Sequence, residues 1–368
     1  MIISDRRFRS RTIQGIIIAF AISSFFLQYF VLRFFETQKL VAMGGQIAVG
    51  LVCFFCWFSW KNIKYKELLF LLFFLIVIFF AGSFSFSSSD MKISSGPLFL
   101  GAFMLSTLAL ARLVSLADLE KTTFFILYFL NLLFYFKFIL DNRVGLPVNF
   151  FEASSYNLLS SIFIFLTAGL MVVVPHRKGL IILALLFLVF LCFSLHARAS
   201  ISVSIALLLW FLIFRLKLFY FFALVLGFSF FILTNLDFME TVFQLTKFAD
   251  KGLDSPRWIM LNNYFASISV QSLLFGVDLS SVDVIKDYND NPHNFLVRFH
   301  SYYGLFGLIF FIACVIYVFI KSSFYNFGIF CLLLVRSVTD IGLLPGPLLD
   351  LPLFLIVFAI TKSSKSEF

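Results

Sequence analysis

The chain has 368 residues, 61% of them hydrophobic and 13% charged, with a mean hydropathy of +1.03. That is more apolar surface than a water-soluble core encloses, so a soluble globular enzyme is excluded and an all-α, polytopic membrane protein is expected. The net charge of +9 is dispersed in short clusters between apolar runs, the pattern of topology signals and not of a nucleic-acid-binding face.

In chain order, Arg6, Arg7, Arg9 and Arg11 precede an apolar run over 13–32 with no small-residue cleavage pattern after it, which predicts a retained first helix. Eleven further segments of spanning character follow near 40–58, 67–83, 97–115, 122–140, 157–174, 179–195, 199–214, 218–236, 301–320, 324–339 and 346–361. A crossing takes about 20 apolar residues, so the expectation is a bundle of about twelve spans in one integral membrane domain over 1–368. The 57 phenylalanines are spread through nearly every apolar run and read as lipid-facing filler. Cys53, Cys56, Cys192, Cys314 and Cys331 all lie inside apolar runs, which argues against disulfides and against a metal site.

With a cytoplasmic N-terminus, the inner loops collect sixteen Lys and Arg residues and the short outer loops seven; five more fall in a long loop that charge bias does not govern. Both termini are therefore expected inside, and the loop from 237 to 300, between spans nine and ten, outside. No phosphate-binding glycine loop is present for nucleotide chemistry on the inner side. Energy then has to come from an activated substrate or an ion gradient.

Within the outer loop, Ser255-Pro256 is a helix start. Trp258, Leu261, Phe265 and Ile268 recur at helical spacing against Asn262, Asn263, Ser267 and Gln271, predicting one amphipathic helix over 257–274 on the membrane surface. A polar stretch, 278–292, leads to His293 and Asn294. Four residues stand out on the outer face. Arg198 sits in the turn between spans seven and eight, where charge bias disfavours a cation; Arg257 lies in the first turn of the loop helix and can pair with Asp254. Arg336, at the outer end of span eleven, can pair with Asp340. His293 precedes span ten. Guanidinium groups bind phosphate bidentately and an imidazole takes a proton from a hydroxyl near neutral pH, so this set suits a reaction in which a lipid diphosphate leaves. Asp283, Asp287 and Asp290 cluster in the same loop and offer a metal-binding alternative, against ordinary solvation.

The order of these features, an Arg198-Ala199-Ser200 turn after a long span, Pro256-Arg257-Trp258, Phe275-Gly276-Val277, then Pro292-His293-Asn294-Phe295-Leu296 with Gly304 and Gly307, resembles the O-antigen polymerase and O-antigen ligase family of bacterial inner membranes. The resemblance covers about 195–343. It implies a metal-independent, inverting glycosyltransferase without cofactor that uses undecaprenyl-diphosphate-linked oligosaccharide. It further implies diphosphate binding by Arg198, Arg257 and Arg336, activation of the acceptor hydroxyl by His293, and work beside a flippase and a chain-length regulator in the membrane lipid. Two positions depart from the family pattern: Asp278 where a second glycine often stands, and Tyr302 where an acidic residue often stands. A polymerase is the leading expectation. A ligase transferring the glycan to lipid A core shares its donor chemistry, and a transporter is the reading from another class, since twelve spans with both ends inside is a common transporter count.

Overall fold

The computed structural model describes residues 13–17, 19–20, 23, 39–59, 65–78, 95–141, 156–195, 197–216, 226, 234, 256–288, 290–339 and 349–363. Among them every regular element is helical. The helices are α1 Lys39–Ser59, α2 Tyr65–Ile76, α3 Ser95–Leu116, α4 Glu120–Asp141, α5 Tyr156–Val173, α6 Lys178–Ser194 and α7 Arg198–Arg215. They continue with α8 Pro256–Ala266, α9 Val270–Phe275, α10 Asp283–Lys286, α11 Phe295–Lys321, α12 Phe324–Val338 and α13 Asp350–Ser363.

Ten of the twelve predicted segments are thus occupied by helices. The segments 13–32 and 218–236 lie largely outside the described residues. Among the described residues, α7 and α11 are the two helices long and apolar enough to cross a membrane, or there are up to three crossings if α3 and α4, bent by 119° at their junction, act as one. Helices α2 and α6 are shorter than both α7 and α11. At about 1.5 Å per residue, the 17 residues of α6 reach about 26 Å and the 12 of α2 about 18 Å, against a hydrocarbon core of about 30 Å.

The centre of the bundle is α5. Ile162, Phe163, Ile164, Phe165, Leu166, Thr167 and Ala168 are fully buried, and a helix apolar on all sides has to be enclosed. It is packed by α4, α6, α7, α12 and α13. Across α7 and α12, Trp210 donates its indole N–H to the Tyr325 carbonyl at 3.0 Å, and the Arg215 guanidinium lies 4.2 Å over the Tyr325 ring. Gly328 leaves room for the Trp210 ring, which a Cβ there would overlap. At the same end of the bundle, Lys362 at the close of α13 pairs with Asp118 and Glu120 in the α3–α4 turn.

Residues 256–297 build a second, smaller core, from Met260, Tyr264, Val277, Leu279, Val282, Ile285 and Val297. Here the sequence reading needs correction. The predicted amphipathic helix over 257–274 is two helices, α8 and α9, because Ser269 caps a new start with a reciprocal Ser269–Ser272 capping box. Its apolar face divides as well. Leu261 and Ile268 pack with Met260 and Tyr264 on the small core, whereas Trp258 and Phe265 remain exposed. The expected cap Ser255 and the pairing residue Asp254 lie outside the described residues.

Candidate functional site

The loop domain is seated on the start of α11 by two glycines. Gly276, at φ +100°, ends α9 where a Cβ would strike the Ser301 and His300 carbonyls. Gly304, at φ +56° and ψ −155°, breaks α11 where a Cβ would strike the Leu274 carbonyl. Both conformations are essentially restricted to glycine, and the contacts are with backbone, which cannot move aside. The glycines of the Phe275-Gly276-Val277 and Gly304 motifs therefore have a physical role: they let two backbones meet.

A histidine that the sequence reading passed over completes the seat. His300 is 4% exposed; its Nε2 lies 3.0 Å from the Leu273 carbonyl and its Nδ1 2.6 Å from the Tyr264 hydroxyl. A carbonyl only accepts, so in the neutral ring the proton is assigned to Nε2, and Nδ1 accepts from the phenol. Burial pushes the Tyr264 phenol up from its ordinary range, which keeps it a donor. The available signal was His300 itself, a lone imidazole opening an otherwise apolar span.

His293 lies in the turn leading into α11, at φ +47°. Its backbone N–H donates to Asn291 Oδ1 at 3.0 Å, and its half-buried ring meets Tyr288 edge-to-face at 6.3 Å. Asn294 caps α11 by accepting from the Leu296 and Val297 amides. The turn is thus fixed on both sides of the imidazole. Arg257 is half-buried in the first turn of α8, a helix that packs on α10. Of the two departures from the family pattern, Asp278 caps a 3₁₀ turn through the Ser280 amide, and Tyr302 lies under the Arg298 guanidinium at 5.7 Å.

At the end of the bundle where α7 begins, the structure sets Arg336 against the first turn of α7, the turn that opens with Arg198. Arg336, 1% exposed, donates from Nε to Ser200 Oγ at 3.0 Å, from Nη1 to Thr339 Oγ1 at 3.2 Å and from Nη2 to the Asn157 carbonyl at 2.9 Å. Ser200 is two residues beyond Arg198 in the first turn of α7, and Asn157 lies in the first turn of α5. The expected partner Asp340 lies outside the described residues. Asp350, wholly buried at the start of α13 and within electrostatic reach of Tyr303, is a second group the sequence reading missed. Its signal was a carboxylate at the head of the last span.

The aspartates considered for a metal are exposed: Asp283 opens α10, Asp287 closes it, and Asp290 follows at φ +56°. Among the described residues no group of three or more His, Cys, Asp or Glu side chains is placed to hold a metal ion. Cys53, Cys56, Cys192, Cys314 and Cys331 are free thiols. No protein-family model, curated protein or solved structure matches the chain.

Proposed function

We propose that the protein is a twelve-span glycosyltransferase of the bacterial inner membrane that joins polyprenyl-diphosphate-linked oligosaccharide units on its outer face, as an O-antigen or capsule polymerase. The observation that carries this reading is Arg336, buried directly behind the first turn of α7 that bears Arg198. A guanidinium taken out of water there raises the local potential for a diphosphate, and low dielectric strengthens the attraction. The imidazole of His293, in a turn held by Asn291 and Asn294, supplies the second requirement, a base of fixed direction.

In the proposed reaction the acceptor hydroxyl oxygen attacks the anomeric carbon of the donor, with inversion. The bond from that carbon to the diphosphate oxygen breaks, the hydroxyl proton passes to His293, and polyprenyl diphosphate departs held by Arg198 and Arg257. The donor is already activated, so catalysis consists of positioning, stabilising the departing charge and removing one proton.

The test is incubation of the reconstituted protein with a polyprenyl-diphosphate-linked repeat unit as the only glycan, the products being resolved by size. A ladder is expected from the wild type, and His293→Ala is expected to slow it by about 10²- to 10⁴-fold with donor binding retained. Transfer only after lipid A core is added would make the protein a ligase. Absence of transfer under both conditions would overturn the enzyme reading in favour of transport, and normal turnover by the variant would remove His293 as the base.

A further inference from the structure

We propose that Ser160 and Ser200 are positioning residues, which together with Arg336 and the Asn157 carbonyl close a hydrogen-bonded ring that fixes the first turn of α7 and so aims Arg198. The consequence for a diphosphate rests on the reading above; the ring itself does not.

The sense of every bond in the ring follows from donor and acceptor chemistry. A guanidinium only donates, so Ser200 Oγ accepts from Arg336 Nε at 3.0 Å. The Ser160 hydroxyl donates to the Asn157 carbonyl at 2.9 Å. With the Ser160 proton thus committed, the 2.7 Å bond between the two serines has one direction, from Ser200 to Ser160. Arg336 Nη2 then donates to the same Asn157 carbonyl at 2.9 Å and closes the circuit. Bonds that run head to tail polarise one another, and Ser160 and Ser200 are both fully buried, leaving no solvent to replace a lost partner.

Two observations separate positioning from mere support. Fully buried Ile162 of α5, Leu207 of α7 and Leu333 of α12 already hold these helices by apolar contact. The start of α7, by contrast, has Ala197 at its N-cap and no side-chain capping bond there. The opening turn of a helix without a cap has amide groups to satisfy and frays easily. The ring grips Ser200 in that turn and supplies from outside the order that the missing cap does not.

The experiment compares full-length wild type, Ser160→Ala and Ser160→Thr in lipid nanodiscs, with amide exchange over 197–202 as one readout and binding of farnesyl diphosphate as the other. Ser160→Ala removes the acceptor for the Ser200 hydroxyl without touching α7. It is expected to raise exchange over 197–202 about tenfold and to weaken farnesyl diphosphate by a similar factor, while exchange elsewhere in the bundle is unchanged. Ser160→Thr, which keeps the hydroxyl, is expected to restore the slow exchange. Unchanged exchange over 197–202, or an equal rise throughout the bundle, would overturn the proposal; so would weaker binding with exchange unaltered. If the wild type binds no farnesyl diphosphate, the donor reading fails, and the exchange result still decides whether the ring orders the turn.

Discussion

The bundle end around Arg336 and the loop domain around His300 both bury a nitrogen-rich side chain, and they hold it in different ways. Arg336 is met by groups of α5 and α7 and by Thr339 just past the end of its own helix, α12, and the apolar faces of these helices are buried independently of it. His300 is met by Tyr264 of α8, which belongs to a core of seven buried apolar side chains, and by the Leu273 carbonyl of α9, a helix with no buried residue of its own. Disturbing the ring should therefore shift one helix turn and leave the bundle folded. The loop domain has little apolar area in reserve, so loss of one contact at its seat should release the whole unit from α11.

The largest effect is expected from Gly304→Ala. The new Cβ would overlap the Leu274 carbonyl at a backbone conformation that costs non-glycine residues about 1–3 kcal/mol before any overlap. The expected outcome is rapid amide exchange across α8 and α9 with slow exchange retained in α5, and uniform loss across both regions would show that they are one cooperative unit. Tyr264→Phe comes next. It removes the hydroxyl bonded to His300 Nδ1 and leaves the imidazole buried short of one partner, a loss of about 1–2 kcal/mol confined to the loop domain, measurable by the same exchange.

The smallest effect is expected at Lys362, far from both regions. Burial works against its charged form, but the hydrogen bond and charge of Asp118 and the charge of Glu120 outweigh it, and its pKa is raised above 10.5. A raised value in the folded state means that this stabilisation is complete below pH 10.5 and is lost as the pH climbs through the folded value. The side chains of Lys362 and Asp118 are 47% and 77% exposed, so water and salt screen the pair. Lys362→Ala should cost no more than about 1 kcal/mol in thermal unfolding and leave exchange in the loop domain unmoved.

Apolar run length determined the helical class and the place of most helices, since a continuous run of such residues has few other ways to satisfy its backbone in a bilayer. It also separated the polar loop from the bundle. The residues Arg198, Arg257, Arg336 and His293 stood out in the sequence because cations and an imidazole contrast with apolar surroundings. What periodicity could not give was the break between α8 and α9, where Ser269 starts a second helix, or the burial of Tyr264 in place of Phe265. The break is set by the local Ser269–Ser272 capping box, and the burial of Tyr264 by its bond to His300 of α11. Tertiary structure alone decided that Arg336 meets Ser200 and Asn157, that Ser160 completes their ring, and that His300 joins Tyr264 to Leu273. Those partners are 136, 179 and 36 residues apart for Arg336–Ser200, Arg336–Asn157 and Tyr264–His300, and only packing brings such distant groups within hydrogen-bonding reach.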